Sequence, residues 1–198
     1  SLGGVPLYLD EWKIDLAYSC SQKGLSCPPG LGPFSMNKRA EDKMSNRKDK
    51  VPNWYLDVSL LNKYWGSDRV YHHTAPVNMN FGIREALRLL AEEGLEVSWE
   101  RHKKNAKLLW DSLENIGLEL QVKEELRLPT LTTVKIPEGV DGKAFTKHLL
   151  NNFGVEIGGG LGDLAGKVWR IGLMGYNSTS TNVDKIIDII KTELPKFR

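Results

Sequence analysis

Lys23 is the first candidate for chemistry, because it lies between a short apolar run at residues 14–18 and a Pro-Pro-Gly sequence that begins at Pro28. The apolar run is typical of a buried strand, and neither a helix nor a central strand continues through Pro28. A lysine amine is a nucleophile only when desolvation or nearby cations lower its pKa, which is about 10.4 when unperturbed. Most lysines are solvated, so this pattern alone favours an exposed charge over a nucleophile. A Ser–Lys hydrolytic dyad with Ser21 is disfavoured, since no Gly-rich oxyanion loop follows at suitable spacing.

Arg170 is the second candidate, because it stands alone within an apolar run at residues 168–173. An arginine is costly to bury in such a strand unless an anion meets it. One possible anion is a carboxylate of the same domain, in a salt bridge. The other is the α-carboxylate of an amino acid, which a guanidinium receives through two parallel hydrogen bonds.

The sequence Tyr-His-His-Thr at residues 71–74 is the third candidate. Adjacent histidines on a strand point to opposite sides, and in a turn they still lack a third ligand, so we predict no metal site. Cys20 and Cys27 are too few for a zinc site, and we predict that both are free thiols in a reducing compartment.

Composition excludes several classes of protein. Of the 198 residues, 40% are hydrophobic and 26% are charged, as in ordinary globular proteins. The formal net charge of +2 is spread along the chain, so we predict no nucleic-acid partner. No apolar run approaches the length of about 20 residues that a membrane helix needs, so we predict no membrane partner.

Hydrophobic periodicity predicts strands and helices that must position these residues. Asn37 is the predicted N-cap of the first helix, Gly94 separates two long helices, and Gly117 is the expected end of the second. Aromatic side chains at residues 60–65 are expected to pack in a core. The predicted strands are residues 7–10, 14–18, 32–36, 118–122, 130–136, 155–157 and 168–173, and the predicted helices are residues 38–46, 58–65, 76–93, 95–116, 142–152 and 182–194.

Several short segments occur here in the same order as in one enzyme family. They are SLGGVPLYLD at residues 1–10, SQK at 21–23, PPG at 28–30, YHHT at 71–74, RLPT at 127–130, GGLG at 159–162 and RIG at 170–172. In these segments the chain resembles the carboxy-terminal portion of serine–pyruvate/alanine–glyoxylate aminotransferases, which are class V, fold-type I enzymes dependent on pyridoxal 5'-phosphate (PLP). The resemblance extends from residue 1 to about residue 194.

The resemblance implies an α/β fold. Residues 1–95 would form the second half of a PLP-binding large domain, residues 96–117 a connecting helix, and residues 118–198 a small α+β carboxy-terminal domain. It implies that Lys23 is the catalytic residue, joined covalently to PLP in a dry pocket, with Gln22 near the cofactor phosphate. Tyr71 and Thr74 would bind the phosphate of the partner subunit in a homodimer, and Arg170 would bind the substrate carboxylate.

The resemblance also implies the reaction, which is transfer of an amino group from alanine or serine to glyoxylate or pyruvate. Two alternatives stay open: a kynurenine or 3-hydroxykynurenine transaminase, and a non-catalytic protein that reuses a truncated transaminase scaffold. The family's aspartate for the pyridine nitrogen would precede residue 1. We therefore expect a fragment that is inactive without an amino-terminal half, in a peroxisomal or mitochondrial compartment.

Overall fold

The structure is a computed structural model that describes all residues from 1 to 198. Its strands are β1 (Leu16–Tyr18), β2 (Phe34–Met36), β3 (Leu131–Lys135), β4 (Gly158–Gly159) and β5 (Val168–Gly172). Its helices are α1 (Lys38–Ser45), α2 (Val58–Trp65), α3 (Val77–Glu93), α4 (Leu95–Asn115), α5 (Gly142–Phe153) and α6 (Ser180–Glu193). None of the six helices combines the length and the apolar character that a membrane span requires.

The amino-terminal part contains a two-stranded antiparallel sheet, β1–β2, followed by α1, α2 and α3. The predicted cap of α1 is confirmed, because the Asn37 side chain accepts a hydrogen bond from the backbone N–H of Ala40. The predicted break between α3 and α4 is also confirmed. Gly94 adopts φ 89°, a left-handed backbone conformation that favours glycine, and α4 begins at the next residue.

The carboxy-terminal part is built on an antiparallel sheet of order β3–β5–β4, covered by α4, α5 and α6. One apolar core of sixteen buried residues runs from Leu109 to Leu194. Trp169 on β5 packs against Phe145 on α5 with ring centroids 5.0 Å apart. Its indole N–H also donates to the Gly142 carbonyl, so the buried indole leaves no polar atom unpaired.

Three predicted strands are wrong or displaced. Residues 7–10 form no strand and instead lead into a turn at residues 9–13, in which Trp12 and Ile14 donate to carbonyls four and five residues back. Residues 118–122 pair with β3 only at a single bridge, from Leu120 to Val134, after which the chain bends. The strand expected at 155–157 lies instead at Gly158–Gly159, since the Val155 N–H still caps α5.

The prediction that β1 and the aromatic side chains of α2 are buried is also wrong for the chain of residues 1–198. Leu16 is 54% exposed and Tyr18 is 87% exposed, because β1 pairs with β2 alone and two strands cannot bury both of their faces. No residue of α2 is buried, and Trp65 is 59% exposed. The core therefore belongs almost wholly to the carboxy-terminal part.

Candidate active site

Lys23 lies on a tight loop whose ends are held by a buried serine. The Ser21 hydroxyl donates to the Pro28 carbonyl at 2.7 Å and accepts from the Leu31 N–H at 3.3 Å. The Cys27 N–H donates to the Ser21 carbonyl, which closes the loop around Lys23. The Lys23 side chain is exposed, so the dry pocket that we expected is not formed by these 198 residues. Gln22 is exposed beside it and forms no side-chain hydrogen bond.

The lysine loop rests on the first residues of the chain. Gly24 is buried, and a Cβ built there would lie 2.3 Å from the Leu2 carbonyl oxygen. Any side chain at this position would therefore push the loop away from residues 1–4. Those residues are themselves anchored, because the Ser98 hydroxyl donates to the Gly3 carbonyl at 2.7 Å.

Arg170 lies in the central strand β5, between Thr133 of β3 and Gly158 of β4 in the sheet register. Its neighbours Trp169 and Ile171 face the core, so Arg170 faces the opposite side of the sheet. The guanidinium is held by one hydrogen bond, from Nε to the Gly159 carbonyl at 2.6 Å.

No carboxylate lies within 4 Å of the Arg170 guanidinium, although eleven other ion pairs occur in the chain. The salt bridge considered for Arg170 within its own domain is therefore not formed. A Cβ at Gly158 would lie 3.3 Å from Nη2, so glycine leaves room beside the guanidinium. Both Nη nitrogens are free to bind an anion.

The lysine loop and the strand that carries Arg170 are physically joined. The turn at residues 174–178 begins two residues after β5 ends, and its Tyr176 N–H donates to the Ser26 hydroxyl at 2.8 Å. A Cβ at Gly175 would lie 1.9 Å from Ser26 Oγ, so only glycine allows this approach. A cavity of about 220 Å³ lies next to this contact, bounded by the lysine loop, α3, α4 and the turn.

Two buried or half-buried side chains of α4 support the same turn. Arg101 donates to the carbonyls of Gly175 and Ser178, both at 2.9 Å, and pairs with Glu93 at the end of α3. The Arg101 guanidinium lowers the pKa of the Glu93 carboxyl. His102 is completely buried, and burial lowers the pKa of its imidazole. Sequence reasoning missed both residues, because polar side chains on a long amphipathic helix give no signal of a buried contact.

Tyr71 and Thr74 are brought together. Their hydroxyl oxygens lie 3.0 Å apart on an exposed loop, and no hydrogen bond joins them to Lys23 or Arg170. His72 packs on Trp54 and His73 packs on Tyr55, with ring centroids 4.2 and 4.5 Å apart. No group of three or more His, Cys, Asp or Glu side chains could hold a metal ion. Cys20 and Cys27 are not joined in a disulfide.

Comparison with known proteins identifies the family of this fold and site. A sequence model described as "Aminotransferase class-V" matches residues 1–186, and the chain belongs to this family. It is 48% identical to an alanine–glyoxylate aminotransferase of Callithrix jacchus over 98% of the chain and 48% of that protein.

Solved structures agree on the fold. One is an alanine–glyoxylate aminotransferase from Nostoc sp., with 62% identity and a TM-score of 0.94, covering 96% of this chain and 51% of that one. Another is a ureidoglycine–glyoxylate aminotransferase from Bacillus subtilis, with 38% identity and a TM-score of 0.96, covering 100% and 51%. The fold is therefore that of the α/β, fold-type I aminotransferases, and the chain spans about half the length of these relatives.

Proposed function

We propose that the chain is one half of a PLP-dependent aminotransferase that moves an amino group from alanine or serine to glyoxylate or pyruvate. The observation that carries the proposal is the contact between the lysine loop and the turn after β5. This contact joins the loop that carries Lys23 to the turn after the strand that carries Arg170, an arginine with no carboxylate partner, in a chain that belongs to an aminotransferase family.

The donor groups of the chain fit PLP. When bound, this cofactor supplies an aldehyde for the amino group and a ring that stabilises negative charge at the donor Cα. Lys23 is the amine that holds the cofactor, and its Nζ then carries the proton that leaves the donor Cα. Gln22 offers an uncharged amide donor to the phosphate, while the hydroxyls of Tyr71 and Thr74, 3.0 Å apart, suit phosphate oxygens.

Arg170 orients the substrate. Because Nε is already bonded to Gly159, the two Nη nitrogens form the end of the fork that receives the α-carboxylate in two parallel hydrogen bonds. Glycines at 158 and 159 leave space for an amino acid to approach. The same fork binds the carboxylate of the 2-oxo acid in the second half of the reaction.

The names of the relatives support glyoxylate as the amino acceptor. Both the alanine–glyoxylate and the ureidoglycine–glyoxylate enzymes carry glyoxylate in their names, while their amino donors differ. Alanine is the donor that we favour, because relatives named for it are 44–48% identical and the ureidoglycine enzyme is 38% identical. A kynurenine transaminase and a non-catalytic scaffold remain as alternatives.

We also infer a homodimer and a missing amino-terminal half. The large exposed side chains of the first part, among them Tyr18, Trp54, Tyr55 and Trp65, form surface that such partners cover. Tyr71 and Thr74, which form no hydrogen bond with Lys23 in this chain, then serve the cofactor of the partner subunit. The division at residues 95 and 117, the carboxy-terminal position of this half and a peroxisomal or mitochondrial compartment stay predictions.

Borohydride reduction tests this function. The complete protein is purified with PLP, reduced with borohydride, digested and mapped by mass spectrometry. We expect the reduced cofactor on the peptide that contains Lys23, and alanine–glyoxylate transamination before reduction. A cofactor attached elsewhere refutes the role of Lys23, and a complete protein that never takes up PLP favours the scaffold alternative.

A further inference from the structure

His102 lies where three segments meet, and its hydrogen bonds fix one neutral form of the imidazole. Nδ1 lies 2.7 Å from the Ser98 carbonyl oxygen, and Nε2 lies 2.8 Å from the backbone nitrogen of Gly175. A carbonyl oxygen can only accept and a backbone N–H can only donate. Nδ1 therefore carries the hydrogen, and Nε2 accepts from Gly175.

The partner of His102 belongs to the turn at 174–178, which begins two residues after β5 ends. Side chains from α4 and the lysine loop hold this turn by its backbone. Arg101 and Asn105 donate to its carbonyls, while His102 and Ser26 accept from its N–H groups. Of the two acceptors, only His102 is completely buried, so water cannot replace it.

The edge of the imidazole that carries Nε2 also packs on the segment beneath the lysine loop. A Cβ at Gly4 would lie 2.9 Å from His102 Cδ2, and residues 1–4 in turn support the loop at Gly24. The ring is therefore wedged between the support of Lys23 and the turn that follows the strand of Arg170.

We propose that His102 is a positioning residue for the transamination argued above, on which this inference rests. Its neutral imidazole holds the turn at 174–178 against the lysine loop, and thereby fixes the strand that carries Arg170 relative to the loop that carries Lys23. A proton on Nε2 would set one N–H against the N–H of Gly175 and break this link.

The charged groups that face His102 are Arg101 on α4 and Glu93 at the end of α3. Its contacts with Ser98, with Gly4 and with the turn are uncharged. Burial lowers the pKa of the imidazole below the usual 6.5, and Arg101 lowers it further, against the opposing effects of the hydrogen bond to the Ser98 carbonyl and of Glu93. The hydrogen bond from Gly175 to Nε2 is intact at neutral pH and is lost as the pH falls through the lowered pKa of the imidazole.

Two substitutions at one position, made in the complete PLP-loaded protein, test the proposal. His102→Leu keeps the bulk but removes the acceptor, whereas His102→Gln keeps an acceptor that does not titrate. We expect His102→Leu to raise the KM for the amino donor about three- to tenfold, the worth of one buried hydrogen bond, with kcat less affected. His102→Gln should stay closer to the wild type at neutral pH and lose the rise in KM that the wild type shows below pH 6.5. His148→Gln, at a histidine that bonds Glu193 outside this junction, is the matched control and should change neither quantity.

The visible absorption band of bound PLP separates the possible failures. A wild-type protein without the band or the activity refutes the proposed function itself. If the band and activity are normal but both His102 variants keep the wild-type KM and pH profile and only melt earlier, the positioning role is wrong.

If His102→Leu does not fold, the wild type still decides the matter. Histidine ¹⁵N spectra should then show an Nδ1-protonated imidazole that is still neutral at pH 6.5 and gains its second proton only as the pH falls further. An Nε2-protonated tautomer, or a proton gained at or above pH 6.5, overturns the proposal.

Discussion

Substitution of Arg170 gives the sharpest test of the substrate site, because the structure fixes which of its atoms are free. Nε is committed to the Gly159 carbonyl, and no carboxylate of the chain competes for the Nη nitrogens. Removing one partner of a hydrogen-bonded charge pair costs about 2–5 kcal/mol. At 1.4 kcal/mol for each factor of ten, Arg170→Ala should raise the KM for the amino donor roughly 30- to 4,000-fold.

Arg170→Lys distinguishes the contribution of the two parallel hydrogen bonds from that of the positive charge. Lysine keeps the positive charge but loses one of the two parallel hydrogen bonds, which is worth about 1.5–3 kcal/mol when one partner is ionised. The KM should then rise roughly 10- to 150-fold, a smaller effect than that of alanine.

The assay is initial-rate kinetics of the complete enzyme with varied alanine and saturating glyoxylate. Arg84→Ala, at an exposed arginine of α3 with no ion pair, is the control and should leave KM unchanged. An unaltered KM in Arg170→Ala, or equal effects of alanine and lysine, would show that Arg170 does not bind the carboxylate as a fork.

Three further predictions concern the scaffold. Leu149→Ala should lower the free energy of unfolding by about 2–5 kcal/mol in urea titrations, because this side chain is completely buried in the core; a loss below 1 kcal/mol would contradict that packing. Gly24→Ala should reduce the PLP content of the purified enzyme, since a Cβ collides with a carbonyl of residues 1–4, whereas Gly32→Ala meets only ordinary contacts and should bind normally. Glu93, whose pKa is lowered by Arg101, should stabilise the fold fully above its unfolded pKa of about 4.5 and progressively less as the pH falls through its folded pKa. Glu93→Gln should remove this dependence from unfolding curves measured between pH 3 and 7, and an unchanged curve would argue against the pair.

Local signals in the sequence were sufficient to predict where three of the helices begin and end. The Asn37 cap and the Gly94 break act within a few residues, so α1, α3 and α4 begin and end close to where their patterns indicate. Burial depends on contacts far along the chain or in other chains. The apolar residues of β1 and the aromatics of α2 therefore gave the wrong expectation for this chain.

The residues of the candidate site also fall into two groups, those with a local signal in the sequence and those without one. Lys23 and Arg170 stand out because a lysine beside a Pro-Pro-Gly break and a lone arginine in an apolar strand are unusual in themselves. His102, Ser26 and Gly175 do not, since their roles arise only where α4, the lysine loop and the turn after β5 come together. Such a junction leaves no pattern within any one segment.

The most direct test of the central claim is the visible absorption of the complete enzyme, purified with PLP, in two variants. Lys23→Ala removes the amine that holds the cofactor, while Lys103→Ala removes an exposed lysine of α4 without an ion pair. We expect the absorption band of covalently held PLP to vanish in Lys23→Ala and to persist in Lys103→Ala. A band that survives in Lys23→Ala would contradict the account.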